Sequence, residues 1–319
     1  MKIILAGPYP AKTKETFEAL LPGHEMIPVT DQAEYEAMTE GDCIIVRVLK
    51  TPAQVLENKR NLKAVIRWGV GYDSVDIETA GKMGIVVANM PGVNAYAVSE
   101  LAVGLMLAAG RKVIDQNRLT HDGIWNNKLY AGQMTTLNRK TVGIIGGGNI
   151  GRRVARQVQS FGAETVYYDA YRLPRETEEE FHLRYVSLEE LCRTSDVITI
   201  HVPLLDSTRH MIGRKELEQM KQGVILVNTA RGGLIDDTAL AEALTNGKVA
   251  AAGLDCVENE ELSSNPLARM SNVILSPHMG GTSNDLAGEM IPQIAEQIRK
   301  LAACGCVDHV VNSQFLADE

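Results

Sequence analysis

The sequence has 319 residues, which is long for a single core and sufficient for two domains. Its net charge of -8 and pI of about 5.5 disfavour nucleic acid and anionic membrane surfaces as partners. The longest apolar runs fall well short of the roughly 20 residues of a membrane helix, and the apolar start Met1–Ala6 is too short for a signal peptide. We therefore expect a cytoplasmic protein without a membrane partner.

The cysteines are expected to be reduced thiols, the usual state in the cytoplasm. They are scattered and include no Cys/His pair at zinc spacing, so we expect no metal site. The five are Cys43, Cys192, Cys256, Cys304 and Cys306.

In the first half of the chain, short apolar runs alternate with amphipathic stretches, a pattern typical of parallel α/β structure. A long helix is predicted over Ala95–Arg111, with Glu100 early and Arg111 late, as the helix dipole prefers. The strands predicted before it are Lys2–Ala6, Cys43–Arg47, Ala64–Trp68 and Ile85–Ala88, with a helix over Pro52–Asn58.

A second series of the same kind begins at Thr141. Its predicted strands are Thr141–Ile145, Glu164–Tyr168, Val197–His201, Gly223–Asn228, Ala250–Asp255 and Val273–Ser276. Ser187 and Glu190 predict a capping box at the start of a short helix. The last predicted helix, 282–303, is too short to be a domain and should pack on the first module. The sequence thus predicts two doubly wound parallel-sheet domains, 1–98 with 285–319 and 99–284.

A glycine-rich turn between the strand at Thr141 and the next helix fits the dinucleotide-binding pattern G-x-G-x-x-G. Its glycines allow a tight turn, a close approach to a pyrophosphate and close packing of helix on strand. Asp169 follows the last glycine by 18 positions, where a carboxylate would accept hydrogen bonds from the ribose hydroxyls and favour NAD over NADP. Arg172 lies near it and leaves some use of NADP open. The residues of the turn are Gly146, Gly148, Asn149, Ile150 and Gly151.

Three segments that follow later strands carry candidate catalytic side chains: 227–233, 254–260 and 276–281. Arg231 offers a planar fork that can hold a carboxylate. His278 can exchange a proton near neutral pH. Taken singly, Arg231 could equally be a surface ion pair and His278 a capping or core histidine.

Taken together, these motifs resemble the D-isomer-specific 2-hydroxyacid dehydrogenases over nearly the whole chain. The resemblance implies a Rossmann NAD domain, a flavodoxin-like substrate domain and hydride transfer between NAD(H) and C2 of a small 2-hydroxy or 2-oxo acid. It makes Arg231 the substrate-carboxylate ligand, His278 the general acid/base and Glu260 the partner that favours protonated His278. Glu260 is chosen over Glu258 because the family's glutamate lies five residues after the aspartate, here Asp255. Glu261 replaces the proline that the family usually has next.

The resemblance also assigns residues to the cofactor and to the substrate. Asp255 should contact the nicotinamide carboxamide, and the segment 99–102 matches the helix that starts the nucleotide domain. Further cofactor residues are expected at Val202, Pro203, Thr208, Thr229, Ala230 and Gly280. The substrate loop is expected at Arg67, Trp68, Gly69, Val70 and Gly71, together with Arg47.

The identity of the substrate is open at this level. Arg47 and Arg67 match positions that bind phosphate in the phosphoglycerate dehydrogenases of the family, which favours 3-phosphoglycerate. The third basic position of those enzymes reads Asn126-Asn127 here, which keeps glyoxylate, hydroxypyruvate or a D-lactate-type 2-oxo acid as alternatives. A remote alternative is an NAD-sensing binding protein. The resemblance also implies a homodimer joined through the nucleotide domains.

Overall fold

The computed structural model describes residues 1–316 and divides into two compact units. One unit comprises Met1–Asn94 and the chain from Thr282 onward, and the other comprises Ala95–Gly281. The domain bounds of the sequence analysis, 1–98 with 285–319 and 99–284, stay a prediction. Residues 317–319 of the first predicted domain lie outside the described residues.

Strands and helices alternate along almost the whole chain. The strands are β1 (Lys2–Ala6), β2 (Glu25–Val29), β3 (Cys43–Val46), β4 (Ala64–Arg67), β5 (Val86–Ala88), β6 (Thr141–Ile145), β7 (Glu164–Tyr168), β8 (Arg184–Tyr185), β9 (Val197–Ile200), β10 (Val224–Asn228), β11 (Val249–Leu254) and β12 (Val273–Leu275). The helices are α1 (Thr13–Leu20), α2 (Gln32–Ala37), α3 (Ala53–Glu57), α4 (Ile77–Lys82), α5 (Ala95–Arg111), α6 (Val113–His121), α7 (Asn149–Ser160), α8 (Arg175–Glu180), α9 (Leu188–Thr194), α10 (Arg214–Gln219), α11 (Asp237–Thr245) and α12 (Leu286–Cys304).

The first unit contains a five-stranded parallel sheet in the order β2-β1-β3-β4-β5, which is the flavodoxin-like order. Apart from the exposed Lys2 at the start of β1, the central strands β1 and β3 are buried and apolar, as expected for strands covered on both faces. Sequence reasoning missed β2, because Glu25 and Pro28 interrupt its apolar pattern. β2 lies at the edge of the sheet and pairs only with β1, where a proline can be accommodated.

The C-terminal segment belongs to the first unit. After α12, which begins at Leu286 and not at 282 as predicted, the residues 307–312 form a strap along the edge strand β5. Val310 pairs with Ala88 in an antiparallel bridge. Asn312 is fully buried, accepts a hydrogen bond from the Val87 N–H at 2.9 Å and donates to the Ile85 carbonyl at 2.9 Å. The strap is therefore fixed by buried polar contacts.

The second unit contains a seven-stranded parallel sheet in the order β12-β11-β10-β9-β6-β7-β8. This is a doubly wound Rossmann sheet whose strand order reverses between β6 and β9. The predicted helix α5 packs on β10 and β11, and Gly253 makes this possible because a Cβ there would lie 2.7 Å from Leu105 Cβ. The predicted fold class of two doubly wound parallel-sheet domains is confirmed.

The capping box predicted before α9 forms in part. The Ser187 hydroxyl accepts a hydrogen bond from the Glu190 N–H at 3.1 Å. The Glu190 carboxylate instead accepts a hydrogen bond from Arg184 at 2.9 Å. An available cation on β8 therefore competes with the backbone for this carboxylate.

The five cysteines form two groups, three buried free thiols and one disulfide-bonded pair. Cys43, Cys192 and Cys256 are free and buried, and burial raises the pKa of each thiol to about 12. Cys304 and Cys306 form a disulfide, so the prediction of reduced thiols is wrong for this pair. The left-handed turn at Gly305, with φ of +73°, brings their Cα atoms to 5.4 Å. Within residues 1–316, every helix is too short or too polar to cross a bilayer.

Candidate active site

The glycine turn between β6 and α7 has the geometry of a dinucleotide-binding loop. Gly146 has φ of +105°, and a Cβ on it would lie 2.5 Å from the His201 carbonyl oxygen. A Cβ on Gly151 would collide with the Gly146 carbonyl, so α7 could not approach the loop. A Cβ on Gly148 would meet open space, so packing within the chain does not require glycine there. That space suits a pyrophosphate against the backbone and the N-terminus of α7.

Asp169 lies at the end of β7 and faces the glycine turn. Its carboxylate accepts hydrogen bonds from the Gly147 N–H at 2.8 Å and from the Tyr171 N–H at 3.0 Å. These contacts fix the carboxylate beside the loop and leave acceptor capacity for ribose hydroxyls. The position therefore fits the predicted NAD-selecting role.

Arg172 is engaged with a different carboxylate. Its guanidinium donates two hydrogen bonds to Glu178, at 2.8 and 2.9 Å, and stacks over the Tyr185 ring. These bonds, with a further one from the Tyr167 hydroxyl, lower the pKa of Glu178 to about 2. Because Glu178 neutralises this arginine, its attraction for a 2′-phosphate is reduced.

The three candidate catalytic segments follow β10, β11 and β12, which are neighbours in the sheet. Because parallel strands share one carboxyl edge, these segments begin side by side. The first two are in direct contact, since a Cβ on Gly232 would collide with the Val257 carbonyl and Cys256 Sγ lies 3.5 Å from the Ala230 carbonyl oxygen. The structure thus brings the segments of Arg231 and Glu260 together at the sheet edge that carries the glycine turn.

A buried asparagine shapes the segment that carries Arg231. Asn228 donates a hydrogen bond to the Arg231 carbonyl at 2.8 Å and accepts one from the Ala230 N–H at 3.0 Å. The Arg231 guanidinium donates to the Ala230 carbonyl at 2.7 Å, and its side chain is half-buried. This turn fixes the direction in which the arginine leaves the sheet.

A buried carboxylate shapes the segment that carries His278. Asp255, 2% exposed, accepts hydrogen bonds from the Ser276 hydroxyl at 2.6 Å, the Met279 N–H at 2.8 Å and the Gly280 N–H at 2.7 Å. A Cβ on Gly280 would lie 2.9 Å from this carboxylate, so glycine allows the close approach. In this structure Asp255 and Gly280, both predicted to bind cofactor, hold the histidine segment in place.

His278 and Glu260 form a pair at the surface of the second unit. His278 Nδ1 lies 3.3 Å from Glu260 Oε1, and their side chains are 49% and 66% exposed. Nε2 has no hydrogen-bond partner within the described chain and is available to a substrate. His278 has φ of +55°, an uncommon conformation for a residue other than glycine. The alternative Glu258 lies 2.9 Å from His210 Nε2 and outside this pair.

The segment after β9 holds the other predicted cofactor residues. Val202 lies against the glycine turn, 3.0 Å from a Cβ placed on Gly146. The Thr208 hydroxyl donates to the Pro203 carbonyl at 2.7 Å and accepts from the Leu205 N–H at 2.8 Å, so it closes this loop. Thr229, which directly follows the neighbouring strand β10, is buried, and its hydroxyl has no partner among the described residues. An unpartnered buried hydroxyl at this carboxyl edge of the sheet fits a bound ligand.

Sequence reasoning missed two residues that shape this edge of the sheet. Asn228 lies in the segment 227–233 but had no predicted role, although an Asx turn after a strand is a recognisable signal. His201 is half-buried, bonds to Thr199 Oγ1 through Nε2 at 2.9 Å, and desolvation of its ring lowers its pKa to about 3. No spacing rule indicated that this histidine would be neutral and sequestered. The described side chains include no cluster suited to a metal ion.

The predicted substrate loop lies in the first unit, after β4. Its carbonyls are used within the unit: Gly69 accepts from the Met90 N–H at 2.9 Å, Val70 from Asn89 at 2.7 Å and Gly71 from Arg67 at 2.6 Å. The amides of residues 69–71 make no hydrogen bond within residues 1–316. Three successive amides without an acceptor in the described unit are available to an anion, as the amides of an anion-binding nest are.

The other predicted substrate residues of the first unit differ in accessibility. Arg67 also donates to the Val46 and Arg47 carbonyls, at 3.0 and 2.8 Å, so it braces the loop. Arg47 donates to the Pro8 carbonyl at 2.6 Å and is half-buried. Trp68 is 6% exposed and packs edge-on against Tyr9. This burial makes Trp68 a core residue and argues against contact between its indole and a substrate.

A family model identifies the family to which the chain belongs. Residues 103–280 match the model described as D-isomer specific 2-hydroxyacid dehydrogenase, NAD binding domain. The chain belongs to this family of dehydrogenases. The family predicted from the sequence motifs is therefore confirmed, and so is NAD as the cofactor.

Individual relatives of this dehydrogenase differ in their substrates. The chain is 39% identical over 293 residues to D-3-phosphoglycerate dehydrogenase of Methanocaldococcus jannaschii, covering 91% of the chain and 55% of the relative. It is 38% identical over 289 residues to glyoxylate reductase of Thermococcus litoralis, covering 88% and 86%. The crystal structure of the TT0316 protein from Thermus thermophilus is similar at a TM-score of 0.87 and 31% identity, covering 98% and 100%. The chain thus spans about half the length of the phosphoglycerate dehydrogenase that it matches.

The position of Asp169 generates a test of cofactor preference. Asp169→Ala should lower the ratio of kcat/KM with NADH to that with NADPH by about 10- to 100-fold, because hydrogen bonds to charged groups contribute about 1.5–3 kcal/mol. Asp169→Asn keeps the side-chain shape while removing the charge that repels a 2′-phosphate, and should also gain activity with NADPH. Steady-state kinetics with both cofactors measure the ratio. A wild-type preference for NADPH would contradict the assignment.

Proposed function

We propose that the second unit carries out the chemical step of a D-2-hydroxyacid dehydrogenase with His278, Glu260 and Arg231 as its catalytic residues. The observation that carries this proposal is the His278–Glu260 pair, held at the same carboxyl edge of the sheet as the dinucleotide-binding turn. Open sheets bind ligands at that edge, next to the strand-order reversal. Arg231 is brought to the same edge by the neighbouring strand.

In the proposed reaction, His278 Nε2 binds the oxygen on C2 of the substrate. During reduction it gives a proton to that oxygen, and during oxidation it removes one. When bound, NADH supplies the hydride that C2 receives, so a 2-oxo acid, NADH and one proton give a 2-hydroxy acid and NAD. Glu260 orients the imidazole through Nδ1. Arg231 holds the carboxylate through its planar fork and polarises the carbonyl at C2.

For the substrate, we propose 3-phosphoglycerate first. The nest at residues 69–71 suits a carboxylate, and Arg47 adds a partly accessible cation beside Arg67 in the same unit. A substrate with both a carboxylate and a phosphate would use the two features. The M. jannaschii relative carries this activity in its name.

A small unphosphorylated 2-oxo acid, glyoxylate or hydroxypyruvate, is the second candidate. Arg67 donates hydrogen bonds to three backbone carbonyls and so supports the loop. This use of the guanidinium favours a substrate without a phosphate. Asn126 and Asn127 also stand where a third basic residue would serve phosphate. A D-lactate-type acid and an NAD-sensing role are more remote, and turnover of any 2-oxo acid would exclude a pure sensor.

We also propose that the protein is a cytoplasmic homodimer joined through the second unit. The residues 113–134, in and after α6, expose large apolar side chains, and no α6 residue is buried. Trp125 is 88% exposed, which is costly for an isolated chain in water. The exposed apolar residues of this segment are Val113, Ile114, Ile124, Trp125, Leu129 and Met134.

The catalytic pair is tested with variants of His278 and of two glutamates that lie two residues apart, Glu260 and Glu258. His278→Ala should keep NADH binding and lower kcat by roughly 10²–10⁴, the usual contribution of general acid–base catalysis. Glu260→Gln should lower kcat, because the imidazole loses the carboxylate that orients it through Nδ1. The matched control Glu258→Gln should stay near wild type, since Glu258 faces His210. A larger loss in Glu258→Gln than in Glu260→Gln would overturn the assignment.

The phosphate proposal is tested at Arg47. Arg47→Ala should lower kcat/KM for 3-phosphoglycerate by about 10-fold or more, because a charge-assisted hydrogen bond is lost, and should affect glyoxylate much less. Arg60→Ala, an exposed arginine of the same unit, is the control and should alter neither. Equal losses for both substrates would remove the argument for phosphate, as would a wild-type enzyme that reduces glyoxylate and leaves 3-phosphoglycerate unoxidised.

The proposed dimer surface is tested by placing a charge in it. Trp125→Glu should shift the mass measured by light scattering toward that of one chain, because a buried unpaired charge is unfavourable in an interface. Tyr171→Glu, an exposed aromatic residue of the same unit outside this segment, should leave the mass unchanged. A wild-type mass of 34.8 kDa, that of a single chain, would contradict the proposal.

A further inference from the structure

The disulfide at the end of α12 has no part in the proposed dehydrogenase chemistry. Cys304 is the last residue of the helix, Cys306 lies one residue beyond Gly305, and all three are exposed. The other three cysteines are buried. Among the described thiols, this pair is therefore the one that a reagent in solution can reach.

The turn that carries the disulfide is held by contacts that do not depend on it. Gln297 donates to the Asp308 carboxylate at 3.0 Å and accepts from the Asp308 N–H at 2.7 Å. Lys300 pairs with the same carboxylate at 2.5 Å. Further along, Asn312 anchors the strap 307–312 to β5. The sulfur–sulfur bond can open without releasing the strap from the sheet.

The small size of the loop that the disulfide closes also indicates that the bond is not needed for the fold. A cross-link between residues two apart removes little conformational entropy from the unfolded chain, so it contributes little to stability. Exposed disulfides that contribute little to stability belong to the labile class, in contrast to buried structural ones. In a reducing compartment such bonds are transient.

We propose that Cys304 and Cys306 form a reversible dithiol–disulfide couple that exchanges with low-molecular-weight thiols and disulfides. In the oxidising direction, one protein thiolate attacks a small disulfide, forms a mixed disulfide and releases one small thiol. The second protein thiolate then attacks the mixed disulfide and releases the other. Overall, two protein thiols and one small disulfide give the protein disulfide and two small thiols.

In the experiment, the full chain is equilibrated in mixtures of glutathione and glutathione disulfide and quenched with acid. The free thiols are then alkylated, and the peptide masses are measured by mass spectrometry. The peptide with Cys304 and Cys306 should carry two alkyl groups when reduced and none when oxidised, and the oxidised fraction should depend on the glutathione ratio in the same way from either starting state. The peptides of the three buried cysteines should stay fully alkylated after unfolding and act as internal controls. Two persistent thiols at every glutathione disulfide level, or a bond that excess glutathione leaves intact, would overturn the proposal.

Single variants test the two-step exchange. Cys304→Ser should trap one glutathione on Cys306, and Cys306→Ser should trap one on Cys304, because the second thiol that would release it is absent. NADH turnover in both variants should equal that of the wild type, which separates this site from the dehydrogenase chemistry. A variant that traps no glutathione would overturn an exchange through a mixed disulfide.

Discussion

The carboxylate of Asp255 is the interaction on which the geometry of the candidate site depends. It is buried at the end of β11 and accepts three hydrogen bonds from the residues that follow β12. A buried carboxylate with too few donors would be costly, so the chain after Leu275 must turn back toward it. That turn places His278 beside Glu260. The segment after β12 and the His278–Glu260 pair are thus fixed by one carboxylate.

A similar arrangement recurs on the neighbouring strand. Asn228 at the end of β10 bonds to the backbone of residues 230 and 231, as Asp255 does for its own segment. In both cases a polar side chain on the rigid sheet fixes a loop, and the loop presents the reactive group. Such support allows a site built on loops to keep an accurate geometry while its functional side chains stay exposed.

Much of the fold was readable from the sequence, because buried parallel strands leave continuous apolar runs and α5 has a clear period. β2 was not predicted, because Glu25 and Pro28 are tolerated only in an edge strand. The sequence does not show which strands lie at the edge, since that depends on strand pairing. The pair His278–Glu260 could be predicted from family spacing, although Glu258 and Glu260 are chemically equal in the sequence. The bracing of Arg67 by three carbonyls and the burial of Trp68 could not be predicted, since both depend on how the loop after β4 folds back. The disulfide depended likewise on the left-handed turn at Gly305.

The positive φ of His278 limits how this enzyme could be redesigned. Left-handed backbone costs most residues on the order of 1–2 kcal/mol, while asparagine, aspartate and glycine tolerate it. A tyrosine or lysine substituted there would therefore have to adopt an unfavourable backbone conformation. It would also need a pKa suited to proton transfer. To replace His278 by a different acid, the backbone of the turn bound to Asp255 would first have to change its conformation. His278 and the turn that carries it would therefore have to change together.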